Sequence, residues 1–308
     1  MADHQYPAAG RGVGAERARW STTARAEALR LETAAGVEVT EFRQLGGEHR
    51  SLYFGGRLAD GREIFVKAAA GDETAAALAA EANGLRWLGE VGAVSVPGIV
   101  FAGGGLLAIE WLPLGAADES AADDLGRALA RLHVAGSPRF GAPWPGYIAS
   151  LPLPNDQADS WPSWYAQCRL LPYCRLARDT GSFQPADVSL VEAVASQIDD
   201  LAGPDEPPSR IHGDLWSGNV RWSGGRGWLI DPAAHGGHRE TDLAMLQLFG
   251  APYCDRILAA YREVAPLADG WRARIPLHQL HPLLVHVCLF GGSYRESALS
   301  AARAALSA

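Results

Sequence analysis

Moving a phosphoryl group requires a small set of parts. The transferred group is anionic and needs cations around it, the acceptor hydroxyl must be aimed, and its proton needs a base. Mg²⁺ prefers oxygen ligands and takes only one or two of them from protein, the rest from phosphate and water. The stretch R-I-H-G-D-L-W-S-G-N-V-R-W, Arg210 to Trp222, followed by W-L-I-D-P, Trp228 to Pro232, holds side chains of these types. Asp214 is placed to act as base or orienter beside an acceptor hydroxyl. Asn219 offers an amide oxygen to Mg²⁺, and Asp231 is the main charged ligand. The apolar pieces beside the loop read as short strands. A hairpin through Ser223 to Gly227 returns the chain so that Asp231 comes back beside Asn219. Alone, D-x-x-x-x-N says little; embedded as H-G-D-x-x-x-x-N, hairpin, L-I-D-P, it is specific.

A second set of parts lies upstream. Ile64-Phe65-Val66-Lys67 ends a strand with a lysine, and Glu81 falls near the middle of the helix that follows. A strand lysine paired with a helix glutamate is a device for holding nucleotide phosphates; Glu73 competes with Glu81 for that role. Gly46 and Gly47, in G-G-E-H-R-S, lie between the first two strands, where backbone N–H groups can cap phosphate oxygens. That segment is not a G-x-G-x-x-G, and a plain hairpin turn is the alternative reading. Glu110 and Leu112 stand where strands give way to helices, and their backbone groups are placed to bond adenine.

The elements that must position these residues fall into two groups. Val37 to Leu45, Arg50 to Leu58 and Arg62 to Ala68 read as strands, the last two joined through Asp60-Gly61, which supplies the positive φ of a tight turn. Val96 to Phe101 and Leu106 to Leu112 are two more. Helices are expected over Ala15 to Ala35 and Glu73 to Val91, and residues up to about Gly14 are expected to be mobile. After Pro113 helices dominate. Asp123 to Ala135 carries Leu125, Ala128, Leu129 and Leu132 on one face. Ser160 to Arg178 and Val188 to Leu201 follow, and Glu240 to Ser307 reads as helical, broken at Pro252, Pro266, Pro276 and Pro282. Strands segregated from helices indicate an α+β chain, with a five-stranded antiparallel domain over 1–112 and a larger, mainly helical one over 113–308.

Composition narrows the functions. The 308-residue chain is 48% apolar with a net charge of −8. An acidic chain without a basic tract is a poor nucleic-acid partner, because phosphate contacts need clustered Lys and Arg; cationic small molecules suit it. No apolar run reaches membrane-spanning length, and the N-terminus lacks an apolar signal core, so a cytoplasmic protein is expected. Cys168, Cys174, Cys254 and Cys288 show no C-x-x-C spacing and read as free thiols. Nothing in the sequence fixes an oligomeric state.

The order of elements and these motifs resemble the protein-kinase-like superfamily, on the branch with aminoglycoside phosphotransferases and choline kinases, whose loop is H-G-D. The likeness extends further. H-G-D-L-W-S-G-N-V, I-D-P-A-A-H-G-G-H-R-E-T-D-L-A-M, F-V-K, E-A-x-G-L from Glu81, G-Y-I-A-S-L-P-L-P-N from Gly146, and W-x-x-W-Y-x-x-C-R-L from Trp161 are similar to the fructosamine kinase (ketosamine 3-kinase) family. The resemblance covers roughly residues 37–250. It implies a bilobal fold and ATP-dependent phosphorylation of the 3-hydroxyl of a ketosamine, free or on a glycated protein, with release of the amine as a deglycation repair. It also implies Asp214 as base and Asn219 and Asp231 as Mg²⁺ ligands. Glu48, His49 and Arg50 depart from the family's D-I-N after the paired glycines, which bears on the nucleotide loop rather than on the chemistry.

For the acceptor, Trp216 could stack on a sugar face or pack as a wedge. Asn155, Trp161, Trp164 and Tyr165 could wall the site, core packing being the plainer reading of the last two. His235 and His238 form H-x-x-H, read as loop hydrogen bonding rather than a zinc pair, because Gly236-Gly237 stands between them. Asp242 and His212 are expected to brace the loop, and His278, His281 and His286 to be ordinary helix residues. Two other functions remain open: a kinase for an aminoglycoside or amino alcohol, and a non-catalytic nucleotide-binding scaffold. The scaffold usually lacks one of Lys67, Asp214, Asn219 and Asp231; here all four are present.

Overall fold

A computed structural model of the chain describes residues 20–48 and 50–308. The mobility expected before Gly14, the first turns of the helix expected from Ala15, and the expectation on His49 lie outside the described residues. The chain divides into two compact units, residues 1–79 with 98–111 and residues 80–97 with 112–308.

The first unit is a sheet with one helix. In α1 (Thr22–Ala35) Ser21 caps the N-terminus by accepting the Ala24 N–H, and Ala24, Ala28 and Leu31 recur at the spacing of a single helical face and are buried. The sheet has five antiparallel strands in the order β1-β2-β3-β5-β4: β1 (Val39–Glu48), β2 (Ser51–Leu58), β3 (Glu63–Ala69), β4 (Ile99–Gly103) and β5 (Leu106–Glu110). Alternate residues Ile64, Val66 and Ala68 of β3 enter the core with Phe42 and Phe54, whose rings stack at 4.9 Å. β1 runs on to Glu48 rather than stopping at Leu45. Gly46 and Gly47 therefore lie in an exposed strand end, paired with Tyr53 and Leu52.

α2 (Asp72–Glu90) begins in the first unit, and its second half belongs to the other, where Leu88 and Val94 join the core. α3 (Glu119–Ala135) is capped by Asp118 and buries Leu125, Leu129, Leu132 and His133. A small hairpin pairs β6 (Gly146–Ile148) with β7 (Leu151–Leu153). The helix expected from Ser160 to Arg178 forms without a break, α-helical at Trp161–Tyr165, π-helical at Ala166–Leu170 and α-helical again as α4 (Leu171–Asp179). α5 (Pro185–Ser196) follows. Four short strands then form two antiparallel pairs, β8 (Ser209–Ile211) with β11 (His235–Gly237) and β9 (Val220–Ser223) with β10 (Arg226–Leu229). The remainder is α6 (Arg239–Leu248), α7 (Cys254–Val264), α8 (Trp271–Phe290) and α9 (Arg295–Ala305).

Pro252 and Pro266 fall between helices as expected, but Pro276 and Pro282 do not break α8. Proline removes an N–H from the helical ladder and crowds the preceding turn. Near Pro282 the Tyr165 hydroxyl fills the gap. It donates to the Leu277 carbonyl at 2.8 Å and lies 3.5 Å from that of His278, the carbonyl that an N–H at position 282 would have met. All four cysteines are free thiols, and no helix among the described residues is long and apolar enough to cross a membrane.

Candidate active site

The loop between β8 and β9 carries Asp214, and its shape is set by hydrogen bonds from three directions. Asp242, fully buried on α6, accepts the backbone N–H of His212 at 2.7 Å and of Gly213 at 2.9 Å. His133 of α3 lies 3.2 Å from the same carboxylate through Nε2, and its Nδ1 lies 3.0 Å from the Tyr261 hydroxyl. Burial alone would raise the Asp242 carboxyl; the hydrogen bond from His133 leads the contacts that hold it below the usual range. His212 accepts the Asp214 N–H on Nδ1, so its proton is on Nε2, which donates to the Ile230 carbonyl at 2.9 Å. Burial lowers the His212 pKa and keeps the ring neutral. Gly213 has φ 83°, and a Cβ there would lie 2.3 Å from the Ala233 carbonyl, so only glycine fits before Asp214.

Asp214 and Asn219 meet directly. The Asn219 amide nitrogen donates to the Asp214 carbonyl at 2.8 Å and to its carboxylate at 3.0 Å. That fixes the amide so that its oxygen, the atom able to ligate a metal, is turned away from Asp214. The β9–β10 hairpin pairs Val220 with Leu229, and the Ile230 N–H bonds the Asn219 carbonyl at 3.0 Å. Asp231 therefore emerges one residue beyond a backbone bond to Asn219. It has φ 54°, a left-handed conformation costly for a residue with a side chain and often found at functional sites. Burial pushes the Asp214 carboxyl up to about 7, the charges of Asp231 and Asp242 adding to the rise against the hydrogen bond from Asn219. An amide oxygen and a carboxylate at one loop are the oxygen donors Mg²⁺ takes from protein.

The other expected residues are placed as follows. Lys67 is buried in the middle of β3–β5 pairing, opposite Leu107 and Tyr53, with Nζ 6.0 Å from the Tyr53 ring centroid. Glu81 is half-buried on α2. Glu110 ends β5, its N–H donating to the Gly98 carbonyl and its carboxylate accepting the Gly98 N–H; Leu112 follows, half-buried. Trp216 is 39% exposed, and its indole lies across Gly218, where a Cβ would come within 2.3 Å of the ring. Asn155 and Trp161 are buried. The Asn155 amide oxygen accepts from the buried Arg169, and Trp161 stacks on Tyr165 at 4.7 Å.

Sequence reasoning overlooked two features here. His133 is a lone polar residue in the apolar face of α3, and that break in the pattern was the available signal. The second is a buried cluster. His238, Glu240 and His278 bring ligand-type atoms within 4.8 Å of one another, the single such trio among the described residues. Its cation is a guanidinium. Arg274 forks onto both Glu240 oxygens at 2.6 and 2.9 Å, the His238 Nδ1 accepts the Glu240 N–H, and the His278 Nδ1 faces the Thr241 hydroxyl. His278 is thus part of an ion-pair cluster rather than an ordinary helix residue. His235 donates to the Ala233 carbonyl at 2.7 Å, the loop bonding expected of H-x-x-H.

The chain has a protein-kinase-like fold. A choline kinase from Streptococcus pneumoniae is similar with TM-score 0.65 at 19% identity, over 94% of this chain and 100% of that one; at that identity the likeness is one of fold. A sequence model of the fructosamine kinase family matches residues 20–308, and the chain belongs to that family. The crystal structure of a Thermobifida fusca protein, provisionally named a fructosamine-3-kinase, matches with TM-score 0.88 and 52% identity over 91% of this chain and 98% of that one. A relative from Enterococcus faecium, provisionally named a ketoamine kinase, is 36% identical over 228 residues, 70% of this chain and 78% of its own. The chain is accordingly a phosphotransferase with an alcohol group as acceptor, and membership implies ATP as donor.

Proposed function

We propose that the chain transfers the γ-phosphoryl group of ATP to the 3-hydroxyl of a ketosamine, a fructosamine or ribulosamine adduct of an amine. Asp214 takes the hydroxyl proton as that oxygen bonds the γ-phosphorus; the bond from phosphorus to the β–γ bridging oxygen breaks, and ADP leaves. Asn219 and Asp231 would hold Mg²⁺, which supplies positive charge against the phosphate oxygens. Lys67, oriented by Glu81, would hold the α/β-phosphates, the N–H groups of Gly46 and Gly47 would cap phosphate oxygens, and backbone groups of Glu110 and Leu112 would bond adenine. Trp216 would lie against the sugar. Asn155 and Trp161 are enclosed, so their part in the acceptor site would be to fix the loops in front of them. The 3-phosphate promotes decomposition of the adduct and frees the amine, a deglycation repair in the cytoplasm.

The reading is carried by the convergence of Asp214, Asn219 and the strand end bearing Asp231 on one braced loop. It is tested by offering ribulosyl-lysine, fructosyl-lysine and kanamycin in turn with ATP and Mg²⁺. ADP release with the ketosamines alone supports it. Release with kanamycin alone points to another alcohol, and nucleotide binding without turnover to a scaffold. Asp214→Asn should keep nucleotide binding and lower turnover by roughly 10² to 10⁴, the range for a lost general base; near-normal turnover removes Asp214 from that role.

A further inference from the structure

Three buried side chains from three helices lead away from the catalytic loop. Asp242 of α6 accepts through both carboxylate oxygens, from the Gly213 N–H at 2.9 Å on Oδ1 and from the His212 N–H at 2.7 Å on Oδ2. The His133 Nε2 of α3 stands 3.2 Å from the same Oδ2, and its Nδ1 stands 3.0 Å from the hydroxyl of Tyr261 on α7, 128 positions along the chain. None of the three residues is more than 1% exposed, so each polar atom depends on the partner beside it. The direction of these hydrogen bonds is fixed from the outer end. Among the described residues the Tyr261 hydroxyl has one acceptor within reach, the His133 Nδ1. Burial raises the Tyr261 pKa, against the pull of the Arg239 cation, so the hydroxyl keeps its proton and donates it there. A ring nitrogen that accepts carries no hydrogen, which puts the His133 proton on Nε2. That is the tautomer able to donate to Asp242. The other would turn a lone pair toward an ionised carboxylate, and the two would repel.

We propose that Tyr261 is a positioning residue for phosphoryl transfer: by holding His133 in the Nε2–H tautomer it keeps Asp242 aimed at the His212 and Gly213 N–H groups, and so keeps Asp214 in place. The inference rests on the reading of Asp214 as base and holds for whichever alcohol is the acceptor. Asp242 takes two consecutive N–H groups and Asp214 is the next residue, so a displaced carboxylate displaces the base. A misplacement of about 1 Å can cost about 10²-fold in rate, so a partial loosening of the brace should cost about tenfold. The loss should fall on kcat, because the nucleotide is held by other groups.

Tyr261→Phe tests this, since the ring that packs 5.5 Å from that of His133 is kept and only the donor goes. With the full chain, Mg-ATP and ribulosyl-lysine, kcat per folded molecule should fall about tenfold while the KM for ATP is unchanged. Hydrogen exchange at the His212 and Gly213 amides should quicken by more than the global loss of stability accounts for. His133→Gln places an amide N–H near where Nε2 stood, with no tautomer to select. In that background Tyr261→Phe should cause no further fall in kcat. The ¹⁵N spectrum of wild-type His133, which needs no variant, should show the proton on Nε2. An unchanged kcat in Tyr261→Phe overturns the inference, as does a wild-type proton on Nδ1, or equal falls in kcat in the two backgrounds. If wild type phosphorylates no ketosamine, the proposed acceptor fails, and the exchange rates and the ¹⁵N spectrum still decide the role of Tyr261. Quickened exchange at the two amides with the proton on Nε2 keeps it; exchange that merely follows global stability overturns it.

Discussion

Two acids stand two positions apart at the start of α6, and both are buried, yet they do different work. Asp242 meets two backbone N–H groups and an imidazole. Glu240 meets a guanidinium fork, with the His278 Nε2 at 3.4 Å. A carboxylate facing backbone donors dictates where that backbone runs, here the three residues ending in Asp214. A carboxylate facing a side-chain cation ties two helices together and says nothing about a loop. The Asp242 region should therefore couple stability to activity, and the Glu240 region should affect stability alone.

The largest expected effect follows from that difference. Asp242→Ala leaves two backbone donors and His133 without their acceptor in a buried place. At about 1–3 kcal/mol for each buried group left unsatisfied, the fold should lose about 4 kcal/mol. Activity per folded molecule should fall as well, because His212 and Gly213 are released. Urea unfolding together with kcat corrected for the folded fraction checks this, and an unchanged corrected kcat would break the comparison. Arg274→Ala should cost about 3 kcal/mol by leaving Glu240 buried without its cation, with corrected kcat unchanged. Replacing both partners, Glu240→Leu with Arg274→Met, should recover most of that loss, since apolar isosteres of a buried ion pair are often neutral.

The same pair gives a pH signature. Burial would raise the Glu240 carboxyl, but its contacts with His278 and Arg274 outweigh this and hold it at about 2, below its ordinary 4.5. A depressed acid contributes stability that is complete above the unfolded pKa and is lost as pH falls toward the folded one. Wild type should therefore lose this contribution between 4.5 and 2, and the Glu240→Leu, Arg274→Met variant should show a shallower decline in urea midpoint over that window. Identical slopes would remove Glu240 from the account.

What could be read from the sequence was what short spacing encodes. Alternation gave the strands, Asp60-Gly61 their tight turn, and the hairpin between Asn219 and Asp231 brought those two positions of the backbone together because the loop length leaves little choice. Asp242, 30 positions from His212, was legible as a brace only through the family-like T-D-L-A-M in which it stands. Partners far apart in the chain were not legible. His133 reaches Asp242 across 109 positions, and Arg274 reaches Glu240 across 34. The pairing of β8 with β11 depends on a loop and a hairpin folding first.

Pro282 is the sharpest case of a local rule overruled at a distance, and it yields the smallest effect worth measuring. By local rules α8 should stop before it. It continues with the Tyr165 hydroxyl, 112 positions from Leu277, donating to the Leu277 carbonyl and lying 3.5 Å from the His278 carbonyl that the proline leaves without its N–H. Tyr165→Phe keeps the stacking on Trp161 and removes only that oxygen, so it should cost about 1–2 kcal/mol. In wild type, Pro282→Ala should gain little, since the hydroxyl already serves the gap. In the Tyr165→Phe background the same change restores an N–H that can meet the His278 carbonyl, so it should recover part of the loss. The two substitutions are thus expected to be non-additive in a double-mutant cycle. Additive effects would mean that α8 tolerates its proline for some other reason, and that the hydroxyl is a passenger at the bend.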